Sequence, residues 1–253
     1  MDGRQSARIA SRLQGKYNSM STIKRGGSPH DIREFSPQSI ETLNKASKHV
    51  CYLLNEGYRM KNASVFVGNH FLLSERQRLA VVRSTASDEQ LRRRRDKECV
   101  KESLAGRTVH IDGFNSVITL EIALCESLLL YCMDGTIRDL AGLRGTYRLI
   151  EETPKAIRLI ADTLDDLGIR KAVFYLDAPV SNSGRLKSLI AEVWEDYRAE
   201  LDIQMVHDVD RLLQNQECVM TSDSVILDRC KSWFNLSSIC VEKTEAVPIR
   251  VWK

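Results

Sequence analysis

Four short apolar runs in the second half of this chain each end on an aspartate. Thr108-Val109-His110-Ile111 leads into Asp112, and Lys171-Ala172-Val173-Phe174-Tyr175-Leu176 leads into Asp177. Ile203-Gln204-Met205-Val206-His207 leads into Asp208, and Cys218-Val219-Met220-Thr221-Ser222 into Asp223. Segments with helical periodicity separate the runs. Strands alternating with helices imply a parallel sheet with crossovers, and right-handed crossovers place helices on both faces. The expected fold is therefore α/β, a three-layer α/β/α domain with a mostly parallel sheet. In such sheets ligands bind outside the carboxyl ends of the strands. Four carboxylates at that edge repel and raise one another's pKa, so the cluster needs a cation or a shared proton. A hard divalent metal, Mg²⁺ or Mn²⁺, suits oxygen donors of this kind.

The net charge of +3 is unevenly spread. Residues 1–35 carry 7 basic and 3 acidic side chains, residues 36–106 carry 13 and 8, and residues 107–253 carry 17 and 23. A basic N-terminal part beside an acidic C-terminal part suggests a polyanion-gripping module next to a cation site. Residues 1–35 read as a mobile basic tail with a breaker cluster at Arg25-Gly26-Gly27-Ser28-Pro29. Residues 36–106 read as a small all-α domain, with its boundary at about Gly106. Its first helix starts at Ser36-Pro37 and stops near Gly57. A second helix spans about 63–68, and a third follows Ser74 with Leu79 and Val82 facing inward. Arg92–Arg95 closes the module as a charged helix or a linker.

Residues 107–253 form the α/β domain. Helices are expected at about 116–133, 137–150, 154–168, 184–200 and 223–234, and Cys240-Val241 and Val247–Trp252 suggest terminal strands. The 7 cysteines lack CxxC spacing and lie partly in apolar runs, which fits reduced thiols in a cytoplasmic protein. Met1–Asn18 is polar and basic without the apolar stretch of a signal peptide. The longest apolar segment is interrupted by Glu121 and Glu126 and is too short for a bilayer, so no membrane partner is expected.

Asp112-Gly113-Phe114-Asn115 is the sharpest local signal. Gly113 permits a tight turn, Asp112 can hold a metal, and the Asn115 amide can position a second ligand or a phosphate oxygen. The same residues also suit an Asx-turn and helix cap. This turn, the Phe174-Tyr175-Leu176-Asp177 strand end and Thr221-Ser222-Asp223 together resemble the PIN-like nucleases, in particular their NYN branch. The resemblance covers about 107–253. It implies metal-dependent hydrolysis of RNA phosphodiesters by Asp112, Asn115, Asp177, Asp208 and Asp223, leaving 5′-phosphate and 3′-hydroxyl ends. It also implies a further acid from a helix between the first two acidic strands. Asp139 is the candidate there, in a region with Asp134, Arg138, Arg144 and Arg148, and Glu121 is a second. The whole chain also resembles an uncharacterised prokaryotic family that joins a small helical domain to such a PIN-like domain.

The other positions have two readings each. Thr221 and Ser222 place hydroxyls beside Asp223, where they orient water or the carboxylate, or simply cap a helix. Asp208 follows its strand more directly than Asp210 and is preferred for the site. Ser181, Ser183 and Gly184 precede a helix and offer an anion pocket supported by Arg185 or Lys187, or an ordinary capped loop. His110 reads as a satisfied core histidine. The alternatives to a nuclease are a non-catalytic RNA-binding or scaffold protein and a phosphatase acting on small phosphate esters. RNA is the expected partner, and homo-oligomerisation stays open.

Overall fold

The computed structural model describes residues 24–142 and 145–253. Its first elements are α1 (Asp31–Glu34), α2 (Pro37–Asn55), α3 (Met60–His70), α4 (Glu75–Ser84) and α5 (Asp88–Arg95). Next come β1 (Thr108–Asp112), α6 (Gly113–Leu124), β2 (Leu129–Tyr131), β3 (Ile137–Asp139) and α7 (Glu152–Asp166). The chain ends with β4 (Lys171–Asp177), α8 (Ser183–Trp194), β5 (Glu200–Val206), α9 (Val209–Leu213), β6 (Val219–Met220), α10 (Ser224–Arg229) and α11 (Leu236–Glu242). Among the described residues no helix is long and apolar enough to cross a membrane.

The chain divides into two compact units. One holds the sequence up to Leu91 together with Glu126–Ala141 and Val247–Lys253; the other holds Arg92–Cys125 and Gly142–Ala246. A single cut at Gly106 therefore does not follow these units.

The first unit is helical with a small antiparallel hairpin of β2 and β3. Ser36 caps α2 by accepting from the Ser39 N–H, with Pro37 at the first position, and Gly57 follows the helix at φ +84°. A reciprocal capping box between Ser74 and Gln77 starts α4. The residues α4 buries are Ala80, Val81 and Ser84, while Leu79 and Val82 are half-buried, so the inward face is rotated from the one expected. Leu43, Val50, Val67 and Ala80 share one apolar core with Leu128, Leu130, Leu140, Ile249 and Val251. Residues 24–35, expected in the mobile tail, are folded: Asp31 is buried and paired with Arg76 at 2.5 Å. The rest of that tail, residues 1–23, lies outside the described residues.

The helices expected at 116–133 and 137–150 are corrected by this hairpin. α6 stops at Leu124, and β2 and β3 turn through Asp134-Gly135, with Gly135 at φ +80° and Cys132 N donating to Thr136 O at 2.9 Å. Asp-Gly between apolar runs is a hairpin signal, and it outweighed the helical periodicity. Cys240 and Val241 lie in α11 and not in a strand. Ile249 does pair, in an isolated parallel bridge with Leu130.

The second unit carries the parallel sheet, in the order β5-β4-β1-β6. β1 pairs with β4 and β6, and β4 with β5, all parallel. Along β4, Phe174 packs edge-on to Trp194 of α8, whereas Val173 and Tyr175 join a core with Val209, Leu213, Ile226 and Trp233. Alternate residues thus meet different layers, and the sheet is covered on both faces. The steps from β1 to β4 and from β4 to β5 run the same way, so right-handed crossovers put α6, α7 and α8 on one face. The return from β5 to β6 passes β1 and puts α9 on the other. The helix expected over 223–234 is split: α10 ends at Arg229, and Trp233 bridges Val219. The expected 184–200 helix ends at Trp194.

Candidate active site at the carboxyl edge of the sheet

β1 and β6 are neighbours whose following helices lie on opposite faces, which opens a crevice at their carboxyl ends. Asp112 ends β1 and caps α6, accepting from the Asn115 N–H at a long 3.4 Å. Gly113 follows without positive φ; a Cβ there would stand 2.5 Å from Leu176 Cδ2 and 2.9 Å from Tyr175 O. Close approach to β4, not turn geometry, demands the glycine. Asp112 is 7% exposed, and the Thr221 hydroxyl donates to its Oδ2 at 2.8 Å.

Asn115 binds the two strand ends together. Its Oδ1 accepts from the Ser222 N–H and from the Ser222 hydroxyl, both at 2.9 Å. Its Nδ2 has no hydrogen-bond partner among the described residues, and the side chain is half-exposed. Asp223 caps α10, accepting from Val225 N at 2.7 Å and Ile226 N at 3.3 Å, while its own N–H donates to Thr221 Oγ1 at 3.0 Å. Thr221 and Ser222 therefore act as ties between β1 and β6.

The carboxyl of Asp112 is pushed up to about 7, by burial first and then by the negative charges of Asp223 and Asp210, against the Thr221 hydrogen bond. Asp177, at the end of β4, is raised by burial and by Asp208, and the Val209 N–H opposes the rise. Asp210 is raised by loss of solvent around its carboxyl and then by Asp223, Asp177 and Asp208, although the residue as a whole is exposed. Asp210 thus joins two pairs, Asp112 with Asp223 and Asp177 with Asp208. Asp208 accepts the Arg211 N–H at 2.9 Å as the cap of α9. Beside the preferred Asp208, Asp210 is a second candidate: Asp208 starts the helix, and Asp210 stands in its first turn, where its charge acts on Asp112. The Asp-x-Asp spacing was the signal that pointed to it.

Asp139 belongs to the other unit and ends a strand, not a helix. Its Oδ1 accepts from Arg83 at 3.2 Å and from Ala141 N at 2.8 Å. Arg138 pairs with Asp134 at 2.5 Å, and Arg144 lies outside the described residues. Glu121 is fully buried and accepts from the Tyr147 hydroxyl at 2.6 Å and from the Thr153 hydroxyl, a structural role. His110 Nδ1 meets Tyr175 Oη at 2.9 Å, as expected of a satisfied histidine.

The loop before α8 is stitched to the segment ahead of it. Ser181 N donates to Gly145 O at 3.1 Å, its Oγ accepts from Tyr147 N at 3.3 Å, and Ser183 is buried. Gly184 and Arg185 face solvent, and a Cβ on Gly184 would meet nothing within 4 Å. Of the expected anion pocket Ser183 is buried, while Ser181, Gly184, Arg185 and Lys187 are exposed.

An all-oxygen donor set suits a hard divalent cation, and the Asp112 carboxyl is raised by burial first and by the neighbouring acids after it. Among the described residues no three His, Cys, Asp or Glu side chains stand grouped for a metal ion. Asp112, Asp208 and Asp223 each turn one carboxylate oxygen toward backbone N–H groups as helix caps.

A family model described as a domain of unknown function (DUF5616) matches residues 101–239, and a protein of unknown function model (DUF434) matches residues 42–97. An uncharacterized protein of Methanocaldococcus jannaschii is 38% identical over 186 residues, covering 74% of this chain and 89% of its own. No solved structure matches the chain.

Proposed function

We propose that this chain, which belongs to the DUF5616 family, is a metal-dependent endoribonuclease that hydrolyses RNA phosphodiester bonds at the carboxyl edge of its parallel sheet. One observation carries the reading: Asp112 is buried at the end of β1, and burial, then the charges of Asp223 and Asp210, raise its carboxyl to about 7. Burial and like charges disfavour the carboxylate there, and a bound cation restores it. When bound, Mg²⁺ or Mn²⁺ supplies the charge that lowers the pKa of water and stabilises the leaving oxygen.

Asp112, Asp223 and Asp210 would hold the ion, and Asp177 would stand beside them as a further acid. Asp208 caps α9 and sets the direction of Asp210. Thr221 fixes the orientation of the Asp112 carboxylate, and Ser222 fixes that of Asn115. The Asn115 Nδ2 donates to a non-bridging oxygen of the scissile phosphate. Gly184 N–H and Arg185, at the start of α8, receive a flanking phosphate. By its resemblance to PIN-like nucleases the products carry 5′-phosphate and 3′-hydroxyl ends. The cytoplasm is the compartment we assign, on the strength of seven free cysteines.

The test is incubation of the chain with single-stranded and structured RNAs, with and without Mn²⁺, followed by end analysis. Asp112→Asn is expected to abolish cleavage and keep the fold, and Asp210→Asn to weaken Mn²⁺ binding more than Asp208→Asn does. Full cleavage by Asp112→Asn rejects the site.

A further inference from the structure

The helical unit exposes an unusual share of its large apolar side chains along one hairpin. Tyr52 is 63% exposed, Tyr58 58%, Val65 54%, Phe66 70% and Leu72 88%. Five of the eight exposed large hydrophobics of the described chain therefore fall on α2, α3 and their flanking turns. The same helices bury Leu43, Ala46, Val50, Ala63 and Val67, so their inner faces are already satisfied. The exposed rings lie on the opposite faces.

Those faces have an order. The His49 ring of α2 stands 6.3 Å from the His70 ring and 5.2 Å from the Phe71 ring of the α3 end. One turn further along α2 is Tyr52, and one turn back along α3 is Phe66. The two helices are joined by a short turn, and Tyr52 and Phe66 both lie on the turn side of the His49–His70 contact. Lys45 and Lys48 lie on the exposed stripe of α2 with Tyr52, and Lys61, in the first turn of α3, is exposed on the side of Val65.

Charge identifies the occupant. Over α2, α3 and the turn between them the basic residues are Lys45, Lys48, Arg59 and Lys61, and the acidic ones are Glu41 and Glu56. An apolar docking face for a protein helix needs no such imbalance, whereas a single-stranded polyanion needs both cations for its backbone and aromatic faces for its bases. We infer that the α2–α3 hairpin is a single-stranded nucleic-acid binding surface, with bases stacked on Tyr52 and Phe66 and the backbone held by Lys45, Lys48 and Lys61. The inference rests on reading the chain as an RNA-acting protein, and it concerns affinity and not hydrolysis.

The experiment uses the full chain with Asp112→Asn as background, in EDTA, and a short fluorescein-labelled oligouridylate as probe. Tyr52→Ala with Phe66→Ala is expected to weaken anisotropy-detected binding at least about tenfold. Alanine is a better helix former than either residue, so the melting temperature should hold. Replacing Lys45, Lys48 and Lys61 by Gln should lower the slope of log affinity against log salt by about 2, at about 0.7 per phosphate contact on a single strand. Unchanged binding in the aromatic variant overturns the proposal. So does a wild-type dimer, seen by sedimentation, that the same variant dissociates without loss of RNA affinity, since the face would then belong to a second copy. A chain that binds the probe in this way but cleaves no RNA keeps the surface and rejects the nuclease.

Discussion

Asp112 shows how one side chain acquires its chemistry from position. The residue type supplies an acid with an ordinary pKa of about 3.9; burial at the end of β1 and the nearby acids lift it to about 7. An acid whose folded pKa lies above its unfolded value binds more protons in the folded state between the two values. Stability therefore falls as pH rises through that window, here from about 4 to about 7, by about 1.4 kcal/mol per unit at most. Asp177 and Asp210, both raised, act in the same direction. Urea unfolding of the metal-free protein in EDTA should show this decline, and Asp112→Asn should flatten it and be the more stable protein above pH 7. A parallel pH profile for the two proteins would mean that Asp112 is not raised by the fold. The acids after the apolar runs were readable as a set because each follows such a run. The charge of Asp210 on Asp112 was not, because it depends on the first turn of α9.

At the scale of elements, caps and turn residues were the most legible features. Ser36-Pro37, Gly57 and Ser74 mark their helices where local hydrogen bonding and backbone conformation dictate. Asp134-Gly135 marked a hairpin equally well, yet the apolar run around it reads as a helix until its tertiary partners are known. Gly113 is the reverse case, a glycine expected for a tight turn and needed instead for close packing. Its missing Cβ lets α6 start against β4, with the Tyr175 carbonyl 2.9 Å from where that atom would be. Gly113→Ala should destabilise the protein by about 1–3 kcal/mol, as overpacking does, and weaken Mn²⁺ binding through a displaced Asp112. Thermal and chemical unfolding check the first effect. A variant as stable as the wild type would mean that β4 yields easily to the extra methyl.

For the whole molecule the decisive fact is that the chain crosses between its two compact units. The hairpin of β2 and β3 and the last seven residues belong with the N-terminal helices. A chain beginning at Arg107 leaves Leu128, Leu130, Leu140, Ile249 and Val251 without Leu43, Val50, Val67 and Ala80, the residues they pack with. It should lose solubility and scatter light on concentration, since the exposed apolar cluster favours association. A soluble monomer with an undiminished melting temperature would show that the hairpin does not need the helices. The sequence by itself determined the class of fold, the parallel strands and the aspartates that end or closely follow them, because side-chain alternation and strand–helix order are local properties. It also determined the basic character of the helical region. Only the tertiary structure decided which segments share a core, that Asp210 joins the acids while Asp139 serves Arg83, and that Thr221, Ser222 and Asn115 bind β1 to β6. Those outcomes depend on contacts between residues far apart in the chain, and no local period encodes them.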